Sequence, residues 1–336
     1  MTTKTICVTG GVGFVGGHIV EKLFENNHVK VVIIDVLNSE TSTKEEKLET
    51  LAHLQKVANE NGGELNFYEL DVRDQSALER ILKVEQPTAI VHAAALVKDR
   101  QSVVEAQSYL STNVVGSQVL LDSILSADLT LESLCYISTR SVVGNADTFG
   151  QKIDEHAAIR PTNPYGASKL GAEGLFSSFS NIEKVPVNVL RFMPMYGPRG
   201  RNDMMVRRLL ERILRGESIE QFGDGSAERD WLYVEDGADA VVKAVDNPPT
   251  LERYRILNIG TGVSTTLSEL IKLCEKVAGR TANITQRPTP AGDATISGVA
   301  DWSLAEREIS WRPNTPLIEG LELTFQYFEK MTVTQN

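Results

Sequence analysis

Short apolar runs rich in Val and Ile alternate with amphipathic stretches through the first 190 residues. The runs at 4–9, 30–35, 65–70, 88–92, 134–138 and 186–192 carry no polar face, the pattern of parallel strands covered by helices on both sides. Between them, apolar positions recur at helical spacing over 14–26, 43–60, 75–84, 101–127 and 165–181. This alternation predicts an α/β chain with a Rossmann-type, doubly wound parallel sheet. After residue 192 the rhythm changes: YGPRGRND is loop chemistry, followed by helical patterns at 204–215, 235–246, 267–278 and 316–331 and short strand-like pieces. That part is expected to form a smaller mixed α/β domain over the carboxyl ends of the strands.

Composition narrows the classes. The chain has 336 residues, with 34 Lys plus Arg against 45 Asp plus Glu, a net charge of -11. An acidic chain without a basic tail is a poor ligand for nucleic acid or an anionic membrane, so neither is expected as a partner. The densest basic stretch, Arg207, Arg208, Arg212 and Arg215, reads as a solvated helix face. Cys7, Cys135 and Cys274 are far apart in sequence, and the first two lie in apolar runs, so buried thiols are expected rather than disulfides. No leader-like or membrane-length apolar stretch is seen, and the expectation is a cytoplasmic protein without a metal site.

The first run ends in Thr9-Gly10-Gly11-Val12-Gly13-Phe14-Val15-Gly16-Gly17 and passes directly into a helical pattern. Gly10 permits the tight turn, Gly13 lets a pyrophosphate approach the backbone, and Gly16 allows close helix–sheet packing; the N–H groups at Phe14 and Val15 open the helix. The second run ends in Asp35, 19 residues after Gly16, placed to accept both adenosine ribose hydroxyls. With no Lys or Arg before Lys44, Asp35 is expected to lack a cationic neighbour and to favour NAD over NADP. Asp71 and Val72 end the third run, where adenine is expected, and Ala93, Ala94 and Ala95 leave room for the pyrophosphate and nicotinamide ribose. His92, inside an apolar run, reads as structural.

Tyr165 and Lys169 stand four apart after Asn163-Pro164, an N-cap followed by an N1 proline, which puts phenol and ammonium on one helix face. A phenol titrates near 10, and lowering that to about 7 takes roughly 4 kcal/mol, for which the ammonium and a positive nicotinamide ring are candidate sources. The fifth run ends at Ser138-Thr139, where a hydroxyl can orient a reacting substrate oxygen.

TGGVGFVGG, HAAA, STRSVVG, NPYGASK, LRFMPMYGPRGR, FGDGSAERDWLYVEDGADA and AGD…VAD together make the chain similar to extended short-chain dehydrogenase/reductases of the nucleotide-sugar epimerase/dehydratase branch. The resemblance covers nearly the whole chain. It implies that residues 1–192 with about 235–260 bind NAD, and that 193–234 with 261–336 bind the nucleotide sugar. It further implies Thr139 as the catalytic hydroxyl, Tyr165 as the base and Lys169 as its partner. Arg229 is implied at the diphosphate and Asp293 at the nucleoside. Relatives that eliminate water carry Asp-Glu directly after the catalytic Thr; Arg140 and Ser141 stand there instead and are expected to face the substrate. YGPRGRNDMM is similar to the matching stretch of UDP-glucuronate 4-epimerases, which implies Arg201 at the sugar carboxylate, with Arg100 also in the substrate site. Pro194, Val143 and Pro290 depart from the family pattern. The expected function is NAD-dependent 4-epimerisation of UDP-glucuronate to UDP-galacturonate through a transient 4-keto sugar. The alternatives are a UDP-glucose/UDP-galactose (or N-acetyl) 4-epimerase and a nucleotide-sugar dehydratase. Family likeness also implies a homodimer built on 101–127 and 165–181.

Overall fold

A computed structural model describes residues 4–26, 29–38, 42–147, 150–288 and 298–334. Seven parallel strands form the central sheet: β1 (Lys4–Thr9), β2 (Val29–Asp35), β3 (Glu64–Glu69), β4 (Ala89–His92), β5 (Ser133–Thr139), β6 (Val187–Phe192) and β7 (Tyr254–Ile259). Their order is β7-β6-β5-β4-β1-β2-β3, with Thr9 opposite Ile34 and His92, and Thr139 opposite Phe192. The order reverses direction beside β1, where open parallel sheets bind ligands at the carboxyl ends of their strands.

The inner strands β1, β2 and β4 fold this way because they are apolar on both faces. Val8, Val31, Ile33 and Val91 pack under the helices Phe14–Asn26 and Val234–Asp246, while Cys7, Val32, Ile90 and Tyr136 pack under Gln75–Glu85, Gly116–Ser126 and Pro164–Glu183. A third apolar cluster, built from Tyr196, Leu209, Ile213, Leu270 and Leu321, unites the helices Met205–Arg215, Leu267–Ala278 and Leu317–Thr334. Cys7, Cys135 and Cys274 are free, buried thiols pushed up to about 12 by burial.

Three expectations are corrected. The sheet has a seventh strand, β7, whose Arg255 and Asn258 blur an apolar run; both polar side chains are tied down, to Asn188 and Glu308 and to the Ile153 carbonyl. The segment 101–127 is not one helix but Asp99–Val104, Ala106–Tyr109, a π-helical turn Leu110–Val115, and Gly116–Ser126. The wide turn aims Asn113 inward, where its amide bonds the Leu96 N–H (2.8 Å), the Leu96 carbonyl (2.9 Å) and Ser168 Oγ (2.9 Å). Arg207 is not on a solvated face: it donates to Glu211, Glu46 and the Gly200 carbonyl and lies 5.0 Å from the Phe328 ring, stapling four segments.

Among the described residues, no helix is long and apolar enough to cross a membrane, and no cluster of His, Cys, Asp and Glu has the makings of a metal site.

Candidate active site

The carboxyl ends of β4, β5 and β6 open into a cavity of about 780 Å³. Thr139, Tyr165 and Lys169 line it together with Arg100, Arg140, Ser141, Arg201 and Arg229. Phe14, Val15, Ala93 and Ala95 line its other end. Asp293 and Pro290 lie outside the described residues.

The tyrosine is delivered by the start of the helix Pro164–Glu183. Asn163 caps it by accepting from the Gly166 N–H at 2.8 Å, and Pro164 supplies the first helical residue. Gly166 lets the helix start press on the end of β5: a Cβ there would lie 2.5 Å from the Ser141 carbonyl. That approach sets Thr139 and Tyr165 together in the cavity wall, with the Thr139 hydroxyl donating to Ser141 Oγ at 3.3 Å. Thr139 Oγ1 also accepts from the Ser141 N–H at 3.2 Å, which fixes its rotamer.

The electrostatics differ from the expectation. Burial, and then the Asp99 carboxylate, hold the Tyr165 phenol well above its usual value, partly offset by the neighbouring Thr139 hydroxyl. Lys169 lies against a different ring. Its ammonium sits 4.2 Å from the centroid of the Tyr136 ring, and burial lowers its own titration to about 7. The free chain therefore lacks the low-pKa phenol, and a positive cofactor ring becomes the remaining source of that stabilisation. Burial and the Arg229 guanidinium lower Arg140 to about 10, while Asp99 opposes the drop.

The residues at the dinucleotide end fit a nicotinamide cofactor. Gly10 has φ +74°, and a Cβ on Gly16 would stand 2.0 Å from the Gly10 carbonyl, so the turn closes only with glycine at both. The helix starting at Phe14 points its N–H groups over this turn. Asp35 ends β2 there, but it is not without a cation: Lys47 donates to its Oδ1 at 2.8 Å, and the Val12 N–H to its Oδ2 at 3.0 Å. Lys47 reaches back from the helix Lys44–Glu60, so Asp35 stands in a buried ion pair rather than as a lone negative charge. Asp71 is held by the fork of Arg73, at 2.9 and 2.6 Å, leaving it less available to adenine than expected, and Val72 is buried in the core. Ala94 donates its N–H to Thr9 Oγ1, and His92 bridges Thr9 and Ser117 as a neutral ring, lowered by burial to about 3.

At the substrate end, Arg201 is already engaged: Nε and one terminal nitrogen bond Asp203 at 2.9 and 3.0 Å. Arg100 stacks over the Phe222 ring at 5.4 Å, and Arg229 donates to the Glu228 carbonyl. Asp99, Glu220 and Phe222 are cavity residues that sequence reasoning missed. Phe222 lies within the FGDGSAERDW stretch, where its aromatic side chain was a signal; Asp99 carried none.

The sequence model of the NAD dependent epimerase/dehydratase family matches residues 6–260. The chain is 31% identical to the low-salt glycan biosynthesis protein Agl12 of Haloferax volcanii, over 96% of this chain and 98% of that protein. It is 29% identical to a UDP-glucuronate 4-epimerase of Thermodesulfobacterium geofontis, over 95% and 94%. Two solved structures share its fold across 97% or more of the chain and 99% of theirs. One is a UDP-glucose 4-epimerase from Thermotoga maritima with UDP-glucose (TM-score 0.85, 32% identity). The other is a UDP-glucuronic acid 4-epimerase from Bacillus cereus with UDP-glucuronic acid and NAD (TM-score 0.87, 28% identity).

Proposed function

The chain belongs to the NAD dependent epimerase/dehydratase family, and on that premise we propose that it is an isomerase inverting carbon 4 of a UDP-hexose, with UDP-glucuronate as the substrate. The observation that carries the reading is the convergence of Thr139, Tyr165 and Lys169 on one cavity that also takes in Phe14, Val15, Ala93 and Ala95 from the cofactor end. NAD would be held by the glycine turn at Gly10 and Gly16 and by Asp35 at the end of β2, and would supply reversible hydride acceptance at carbon 4. The phenol of Tyr165 takes the proton of the 4-hydroxyl and later returns it, while Thr139 holds that oxygen in line. Lys169, one turn on along the same helix, lines the cavity beside Tyr165 as its cationic partner. The cavity of about 780 Å³ leaves a 4-keto sugar room to turn its other face toward the cofactor end, the inversion that epimerisation needs. Arg229 and Arg100 face the diphosphate. Arg140 and Ser141, directly after Thr139, offer no carboxylate for water elimination, which favours epimerisation over dehydration.

One observation supports a second reading. Because Asp203 occupies one edge of Arg201, a sugar bearing a neutral hydroxymethyl group meets no unsatisfied charge there, as UDP-glucose would. Incubating a panel of UDP-sugars without added NAD, with products resolved by proton NMR, decides between them. The expected result is UDP-galacturonate from UDP-glucuronate. Conversion of UDP-glucose alone moves the assignment to the second reading, and no product from any UDP-sugar removes both.

The same proposal includes a homodimer in the cytoplasm. Val103, Val104, Leu110 and Val115 expose apolar surface on the 99–126 segment and Ile182 on the neighbouring helix, and a second copy of the chain is the natural cover. A monomeric mass by light scattering at micromolar concentration would refute it.

A further inference from the structure

Directly beneath the catalytic pair lies a buried carboxylate that the proposed reaction does not use. Glu173 stands one helical turn beyond Lys169, as Lys169 stands one turn beyond Tyr165, so the three share a face. Its Oε1 accepts from Ser138 Oγ at 2.5 Å and from Arg191 Nε at 3.0 Å, and its Oε2 from a terminal nitrogen of Arg191 at 2.7 Å. The ion pair is 4% and 3% exposed at its two side chains. Ser138 immediately precedes Thr139 on β5, and Arg191 comes from β6. One carboxylate therefore joins the strand that carries the hydroxyl to the helix that carries the phenol and the ammonium.

We propose that Glu173 is a positioning residue of this active site: its carboxylate clamps the end of β5 to the catalytic helix and supplies the negative charge that the buried Lys169 ammonium faces. The inference rests on the roles proposed above for Thr139, Tyr165 and Lys169.

Two physical arguments support it. A buried ion pair seldom adds net stability, because desolvating both charges offsets their attraction, so a pair retained under a reactive centre calls for another role. Here Arg191 retains a terminal nitrogen with no hydrogen-bond partner, which an apolar replacement would avoid. Second, the groups around Lys169 leave it short of negative charge. Its own helix offers Tyr165 and Glu173, and β5 offers the Tyr136 face and the hydroxyls of Ser138 and Thr139. From β4 comes His92, held neutral, and from β6 comes Arg191, a cation. Burial drives the ammonium toward neutrality at about 7, and Glu173 is the group that opposes it. An opposite charge at this range moves such a group by about one unit or more.

Two variants test the two halves. Ser138→Ala cuts the clamp and leaves the ion pair; kcat is expected to fall about tenfold, with KM and the thermal midpoint nearly unchanged. The double variant Glu173→Gln with Arg191→Met keeps the hydrogen bond to Ser138 and strands no charge; the alkaline limb of its kcat–pH profile is expected to move down by about one unit. Each is measured beside wild type and Tyr165→Phe on UDP-glucuronate, or on UDP-glucose if that is the faster substrate. Unchanged kcat in Ser138→Ala, or an unmoved alkaline limb in the double variant, overturns the positioning role while a dead Tyr165→Phe leaves the site reading standing. An active Tyr165→Phe overturns both.

Discussion

Replacing Arg201 with alanine separates the two sugar readings. In the free chain, Arg201 spends Nε and one terminal nitrogen on Asp203, with the two side chains 17% and 32% exposed. A guanidinium carries five N–H donors, so the opposite edge, centred on the other terminal nitrogen, stays available to a sugar carboxylate. Hydrogen bonds to charged groups contribute about 1.5–3 kcal/mol. Asp203 already balances the guanidinium, which puts the gain near the lower end, about 1.5 kcal/mol, or about tenfold. Arg201→Ala is therefore expected to lower kcat/KM for UDP-glucuronate about tenfold, and for UDP-glucose by no more than about twofold. Asp203→Asn, which releases the guanidinium, is expected to move the ratio the other way. Both constants are read from initial rates by NMR on wild type and the two variants. Equal losses on the two substrates in Arg201→Ala would show that Arg201 serves the diphosphate or the loop, and would remove the carboxylate argument.

Further expectations follow from other parts of the molecule. Tyr165→Phe is expected to cut turnover by about two to four orders of magnitude with NAD retention unchanged; more than a tenth of wild-type rate would place the base elsewhere. Cofactor released from purified protein is expected to be NAD by mass spectrometry, and Lys47→Ala, which frees the Asp35 charge, is expected to keep it so; mainly NADP in wild type would contradict the role given to Asp35. Glu21 supports the fold in a pH-dependent way: burial alone would raise it, but the His53 hydrogen bond and the Arg199 guanidinium bring it down to about 2. A lowered carboxyl stabilises above its unfolded value near 4.5 and loses that contribution as pH falls toward 2. Between pH 5 and pH 3, the thermal midpoint of wild type is expected to fall more than that of Glu21→Gln, and equal slopes would sink this account.

Features governed by local spacing were legible in the amino-acid sequence. Six of the seven strands, the glycine turn and the Tyr165–Lys169 helix face depend on neighbours a few residues apart, and periodicity reports them directly. Through-space partners were not. Lys47 returns to Asp35 across a loop, Asp99 enters the cavity from a short helix start, and Glu173 meets Ser138 only because β5 and its helix are packed together. The break in 101–127 escaped detection because its apolar pattern suits an α-helix and a π turn alike; what selects the wide turn is the distant Leu96 backbone and Ser168, which Asn113 must reach. β7 was hidden for a related reason, since Arg255 and Asn258 look solvent-facing until Glu308 and the Ile153 carbonyl are brought alongside.

The wide turn at Leu110–Val115 makes the chain intolerant of a change in length where it is tolerant of a change in letter. Val115 is exposed, so the fold of a single chain does not depend on its side chain. Removing it would let the segment wind as a regular α-helix, turning every earlier residue by about 100° relative to Gly116–Ser126. Asn113 would then swing away from Ser168, and with it the strut between the β4 loop and the helix of Tyr165. A change in length at this surface is accordingly barred by the Asn113 contact, which a substitution at Val115 leaves in place.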